Sequence, residues 1–182
     1  MNTKKLSRNM SLALRHRPAF LNITLDEHGW ASVDALLAGL AARNYPITRD
    51  ELFSIVATSD KQRFALSDDG TRIRANQGHS VSGIDLQLSP AQPPARLYHG
   101  TVAKAIEGIR ASGLKKMKRH HVHLSADVDT SMKVGGRRGE PIILSVDAKA
   151  MTMKGHTFFQ SDNGVWLTDA VPPVFLTIPA VK

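Results

Sequence analysis

The chain has 182 residues, 42% of them apolar, which is enough for one ordinary domain or two small ones with packed cores. It contains no cysteine, which excludes disulfides, thiolate nucleophiles and cysteine-ligated zinc. An excess of 24 Lys and Arg over 16 Asp and Glu leaves a formal charge of +8, a balance that favours polyanions and is equally compatible with a merely soluble basic protein.

The opening segment, Met1–Pro18, is basic but lacks the unbroken apolar run of a secretion signal. No stretch approaches the roughly 20 apolar residues of a bilayer span, so a cytoplasmic protein with no membrane association is expected. Leu6, Met10 and Leu14 recur at helical spacing and predict a first helix that Pro18 stops. A second helix is predicted over Val33–Arg43, capped by Ser32. A third follows the capping-box pattern Thr48-Arg49-Asp50-Glu51 and carries Leu52, Ile55 and Val56. Phe64, Leu66, Ile73 and Ala75 then alternate around Asp68-Asp69-Gly70, which predicts a β-hairpin. Three helices and a hairpin describe a winged-helix module.

Pro90, Pro93 and Pro94 break the pattern and predict a connector over residues 90–95, between lobes at residues 1–89 and 96–182. Beyond it, Leu97–His99, Val122–Leu124, Ile142–Val146 and Val174–Ile178 read as strands, with one helix over Val102–Ala111 closed by Ser112-Gly113. Strands without a helix after each one argue against a doubly wound sheet. The expected class is therefore α+β, with a largely antiparallel second lobe.

Phosphate loops, dinucleotide fingerprints, zinc-protease and nucleophile-elbow motifs are missing. His120, His121 and His123 cluster, but no cysteine lies near them and no metal-ligand motif frames them, so no metal site is expected. Arg15-His16 close the first helix. They serve either the helix dipole or a phosphate. Arg63 precedes the hairpin as a strand-edge charge or an anion ligand. Arg137 and Arg138 sit in Val134-Gly135-Gly136-Arg137-Arg138-Gly139, a plain flexible loop or a turn that admits a ligand close to the backbone. Asn76-Gln77-Gly78-His79-Ser80 is a donor-rich stretch around a glycine, an ordinary polar loop or a wrap for phosphate or ribose. Tyr98-His99-Gly100-Thr101 reads as a strand end opening a helix, with Thr101 as cap and Gly100 admitting a nucleotide.

In order along the chain, Leu14-Arg15-His16, Lys61-Gln62-Arg63-Phe64 and Ile73-Arg74-Ala75-Asn76-Gln77-Gly78-His79-Ser80 resemble the N-terminal lobe of the RNA 2′-phosphotransferases. Tyr98-His99-Gly100-Thr101, His121-Val122-His123-Leu124-Ser125 and the glycine-rich segment around Arg137 resemble their C-terminal lobe. The resemblance implies a winged-helix RNA lobe joined to an ADP-ribosyltransferase-like lobe that takes NAD⁺ as co-substrate. The implied partner is an RNA, tRNA-like, carrying an internal 2′-phosphate, and no obligate protein partner is implied.

By motif position, the family's catalytic set falls on Arg15, His16, Arg63 and Arg137. Tyr98, His99, Gly100, Thr101, His123, Leu124 and Ser125 fall on the NAD⁺ site. Substrate-binding positions are Arg74, Asn76, Gln77, His79, Ser80, Lys118, Arg119, His121 and Arg138. The family's glycine loop commonly has histidine after its arginine, where this chain has Arg138, and register favours Arg137. Two other readings compete. One is ADP-ribosylation of protein or of terminal nucleic-acid phosphates; the other is a winged-helix DNA-binding regulator, which the third helix argues against by carrying few basic residues.

Overall fold

A computed structural model describes residues 3–59, 61–136 and 139–179. It is an α+β protein with antiparallel sheets. Its residues fall into two compact units, the break lying between Gln87 and Leu88.

In the first unit, α1 (Thr3–Arg15) buries Leu6, Met10, Ala13 and Leu14 on one stripe. Pro18 lacks the N–H that would prolong the helix, and a short 3₁₀ turn, Pro18–Phe20, follows. Asp26 then accepts hydrogen bonds from the backbone N–H groups of His28 and Trp30, both at 2.9 Å, and turns the chain into β1 (Trp30–Ser32). The Ser32 hydroxyl caps α2 (Val33–Ala41) by accepting from the Ala35 N–H at 3.3 Å. That helix stops short of the expected Arg43, because Ala42 forms its C-cap and Asn44 takes a left-handed φ of 61°.

The capping box predicted at Thr48 and Glu51 opens α3 (Arg49–Ala57), with both reciprocal bonds formed. The hairpin is β2 (Phe64–Leu66) and β3 (Arg72–Ala75), with Phe64 opposite Ala75 and Leu66 opposite Ile73. β1, which the sequence pattern does not reveal, pairs with the other edge of β3 and completes a sheet of order β1-β3-β2. Ala31, Phe64, Ile73 and Ala75 face a core shared with α1 and α2.

In the second unit, β4 (Arg96–Thr101) pairs along its length with β7 (Ile142–Asp147), whose other edge takes β11 (Leu176–Thr177). A second sheet is formed by β6 (Val122–Leu124), β9 (Trp166–Thr168) and β8 (Phe159–Gln160). A short pair joins β5 (Leu114–Lys115) to β10 (Ala170–Val171). Helices α4 (Ile106–Ser112), α5 (Val128–Gly135) and α6 (Ala148–Met153) complete the unit. Leu97, Leu124, Leu144, Val146, Met151 and Phe158 dominate its core.

Several local expectations for this unit are corrected. The helix expected over Val102–Ala111 is a 3₁₀ turn, Ala103–Ala105, leading into α4. The strand expected from Val174 begins only at Leu176, because Pro172 and Pro173 hold a 3₁₀ turn first. The segment from Val134 does not begin as a loop: Val134 and Gly135 are the last residues of α5, and Gly136 caps it. Thr101 caps no helix; it lies in β4 opposite Ile142. The proline-rich segment, expected as a connector, packs on this unit. Pro90 bridges Phe159, and the Ala91 N–H donates to the Phe158 carbonyl at 2.8 Å.

Candidate functional site

Arg15 and His16 emerge where α1 ends, so their side chains are carried by a helix locked into the core at Ala13 and Leu14. The stretch 76–80 lies against this end. The Ser80 N–H donates to the Arg15 carbonyl at 2.8 Å, and the Ser80 hydroxyl lies 2.9 Å from His16 Nδ1. Ser80 thus satisfies one of the helix's terminal carbonyls and fixes the imidazole by the same contact. The Arg15 guanidinium runs beneath Gly78, where a Cβ would stand 3.6 Å from Nη1, an ordinary contact distance. What requires glycine there is the backbone, whose φ is 89°.

The start of the same stretch holds Arg63. Asn76 donates its backbone N–H to the Arg63 carbonyl at 2.9 Å and its side-chain amide to the Gln62 carbonyl at 2.6 Å. Gln62 itself is bent to a φ of 37°. Asn76 is buried, so it positions Arg63 rather than presenting its own donors to solvent. His79 is also buried, with its ring packed toward Gly29. One five-residue segment therefore touches Arg15, His16 and Arg63, while its glutamine and serine stay half-exposed.

In the second unit, Tyr98 and Ser125 exchange two backbone hydrogen bonds, at 2.8 and 2.9 Å, and tie the middle of β4 to the residue that follows β6. This brings the two histidine motifs together. His99 Nδ1 donates to the His123 carbonyl at 3.0 Å, which places the His99 proton on Nδ1 and leaves Nε2 as its acceptor nitrogen when the ring is neutral. Arg119 Nη1 lies 3.3 Å from His123 Nδ1; because a guanidinium only donates, this contact sets the opposite tautomer on His123. His121 has a different setting, its ring tilted against Phe159 at a centroid distance of 5.5 Å. Lys118 and Arg119 are exposed on the loop before β6. Leu124 is a core residue, 1% exposed. Among the described residues, no group of three or more histidines and carboxylates is arranged to hold a metal ion.

Gly100 has a definite structural duty. A Cβ there would stand 2.0 Å from the Ser131 carbonyl oxygen and 3.0 Å from the Gly135 nitrogen, so α5 lies directly on β4 at this point. The close approach anticipated for a ligand is made by a helix. Asp127 begins that helix, its carboxylate accepting from the Thr130 N–H at 2.7 Å; this bond holds its pKa below the usual 3.8. The helix runs toward Arg137 and Arg138, which lie outside the described residues.

No reading of local sequence signals β1, α5 or the part played by Arg119. The partners of the first two lie far along the chain, and the third is set by a loop conformation in which Met117 takes a φ of 54°.

Comparison with known proteins shows the family. Residues 1–170 match the family model described as "RNA 2'-phosphotransferase, Tpt1 / KptA family". The chain is 53% identical over 175 residues to a protein of Hahella chejuensis named "Probable RNA 2'-phosphotransferase", a match covering 96% of this chain and 94% of that one. A protein of the same name from Streptomyces coelicolor is 54% identical over 178 residues, covering 98% and 96%. One from Pseudomonas aeruginosa is 49% identical over 170 residues, covering 93% of each.

Proposed function

We propose that this chain, which belongs to the RNA 2′-phosphotransferase family (Tpt1 / KptA), removes an internal 2′-phosphate from RNA with NAD⁺ as co-substrate. The 2′-phosphate displaces nicotinamide from C1″ of the adjoining ribose. The 2″-hydroxyl then attacks that phosphorus, releasing RNA with a free 2′-hydroxyl and ADP-ribose 1″,2″-cyclic phosphate. The observation that carries this reading is the segment 76–80, which bonds to the backbone carbonyls of Arg15 and Arg63, meets the His16 imidazole and lies over the Arg15 guanidinium.

A 2′-phosphate is a monoester whose second pKa is about 6, so it is largely dianionic at neutral pH and needs no strong base to become a nucleophile. Arg15 and Arg63 offer forked donors that match its oxygens, and these donors hold the dianion and stabilise the more crowded charge of the second step. His16, fixed through Nδ1, has Nε2 for a proton, and a free imidazole's pKa of about 6.5 suits that task.

The second unit is read as the NAD⁺ site. Its supporting observation is the donor set at the β4–β6 junction, where two imidazoles of opposite tautomer and a guanidinium gather beside the Tyr98–Ser125 bridge. His99 and His123 would orient ribose hydroxyls, Arg119 and Lys118 would take pyrophosphate charge, and Tyr98, Thr101 and Ser125 would line the site. Gly100 and Leu124 contribute by shaping its backbone and floor. Register in the family motif assigns the fourth catalytic cation to Arg137; Arg119 is a guanidinium of this unit in contact with His123. Positive side chains replace a divalent metal in this scheme, so turnover is expected to persist in EDTA. We read the first unit, with its order β1-β3-β2 behind three helices, as a winged helix, and the second as ADP-ribosyltransferase-like.

The direct test mixes the protein with NAD⁺ and an RNA bearing one internal 2′-phosphate. Dephosphorylated RNA and cyclic phosphate in equal amounts are the expected products. Label from NAD⁺ persisting on protein or on RNA ends, with no cyclic phosphate, would replace this reading with ADP-ribosylation of another acceptor.

A further inference from the structure

The surface of the β1-β3-β2 sheet opposite its core carries a feature that the phosphate chemistry does not use. Trp30 lies directly across from Arg74, and Ser32 across from Arg72. Since Ala31, Ile73 and Ala75 point into the core, alternation places Trp30, Ser32, Arg72 and Arg74 together on the outer side. Both guanidiniums approach the indole, with Cζ 4.7 Å from the ring centroid for Arg74 and 5.4 Å for Arg72. Arg72 keeps 53% of its side chain exposed, although Asp26 Oδ2 lies 3.7 Å from its Nη1. The Asp26 Oδ1 oxygen is engaged with the backbone of His28 and Trp30, so this carboxylate anchors the platform from its rim. Ala65 lies opposite Arg74, and Arg63 precedes it by two residues, on the same side by alternation.

An indole layered with guanidiniums, on a sheet face with no acidic residue in its strands, is suited to unstacked bases. The ring and guanidinium planes accept a base face, and the exposed Arg72 side chain adds a cation for phosphodiester oxygens. Successive outward residues lie about 7 Å apart along a strand, so Arg72 and Arg74 present two separated cationic points beside one aromatic. We propose that this face, centred on Trp30 with Arg72 and Arg74, is a stacking site for an unpaired RNA base flanking the 2′-phosphorylated nucleotide. The inference rests on the reading that RNA is the substrate. It adds that the protein grips the flanking nucleotide by its base plane, without reading its identity.

Two measurements test it. Trp30 and Trp166 are the chain's 2 tryptophans, and Trp166 is 7% exposed, so quenching by a bound base acts chiefly on Trp30. Titration with a short single-stranded RNA lacking any 2′-phosphate, without NAD⁺, is expected to quench that fluorescence. Arg72→Gln, a change at an exposed position, should weaken the interaction and flatten its salt dependence. The second measurement compares 2′-phosphorylated RNA with normal flanks against the same RNA with abasic flanks. Loss of the stacked base should raise KM by roughly tenfold in the wild type at unchanged kcat. Trp30→Ala should raise KM similarly for the normal RNA and leave the abasic one unaffected, with Trp30→Phe intermediate. No quenching, equal KM for the two RNAs, or a Trp30 effect that is the same on both would overturn the stacking site. A wild type that forms no cyclic phosphate from either RNA would sink the phosphotransfer reading instead, and the fluorescence titration would still decide the stacking site.

Discussion

Gly100 offers a sharp test of how the second unit is built. Replacing it with alanine puts a Cβ 2.0 Å from the Ser131 carbonyl oxygen and 2.9 Å from its carbon, both of them backbone atoms of α5. Cβ contacts below 3.0 Å essentially do not occur, so α5 must retreat from β4 by at least about 1 Å. Overpacking of this kind costs about 1–3 kcal/mol, and for a unit of this size each kcal/mol lowers Tm by about 4–8 °C. The retreat also moves the end of α5 that leads to Arg137 and Arg138 and disturbs the strand that holds His99. A displacement of about 1 Å in a catalytic group costs on the order of 100-fold in rate. Gly100→Ala is therefore expected to melt earlier by calorimetry and to lose the proposed phosphotransfer turnover well beyond the fraction unfolded at the assay temperature. Wild-type Tm together with wild-type turnover would refute the packing argument. A lowered Tm with full activity in the folded fraction would refute its link to the site.

Three further outcomes are expected. His16→Ala should reduce kcat by 100-fold or more, whereas Ser80→Ala, which only loosens the imidazole, should cost roughly tenfold and alter the pH profile; equal losses in the two variants would mean that Ser80 does more than position. Arg137→Ala should abolish product with the fold intact, by register in the family motif. If Arg119→Ala abolishes it instead and Arg137→Ala does not, the fourth cation belongs to the guanidinium beside His123. Asp69, in the β2–β3 turn, has its pKa pulled from 3.8 to about 2, first by the Ser67 hydroxyl, then by the Thr71 N–H and hydroxyl, with Arg72 adding less. A carboxylate with a depressed folded pKa stabilises the fold fully above the unfolded value and loses that contribution as pH falls through the folded one. The hairpin's acid sensitivity should therefore lie between about pH 4 and pH 2 and vanish in Asp69→Asn, as read by amide exchange across β2 and β3.

Much of the architecture was legible in the chain because it depends on neighbours in sequence. The stripe Leu6, Met10, Leu14, the capping box at Thr48 and Glu51, the Asp-Gly turn and the stop at Pro18 are each settled within a turn or two of backbone, and each appears as expected. The candidate residues were legible in a different way. Individually, Arg15, Arg63 and the 76–80 stretch had ordinary structural explanations, and only their order along the chain marked a family. Their grouping required long-range contacts: Ser80 meets His16 across 64 positions, and Asn76 reaches Gln62 across 14.

Folding alone assigned the duties that local pattern had misattributed. Gly100 was legible as a glycine that something approaches, but whether that was a ligand or a helix depended on where α5 docks. Thr101 has the chemistry of a cap, yet pairing with β7 keeps it in a strand, since a full ladder of backbone hydrogen bonds outweighs one side-chain cap. The three residues of β1 have too little local pattern to declare a strand and become one only because β3 leaves an edge to be filled. Short-range backbone preferences can be read from adjacent letters. Which faces meet, and therefore which donors converge, is decided by burial of surfaces that are far apart in the chain.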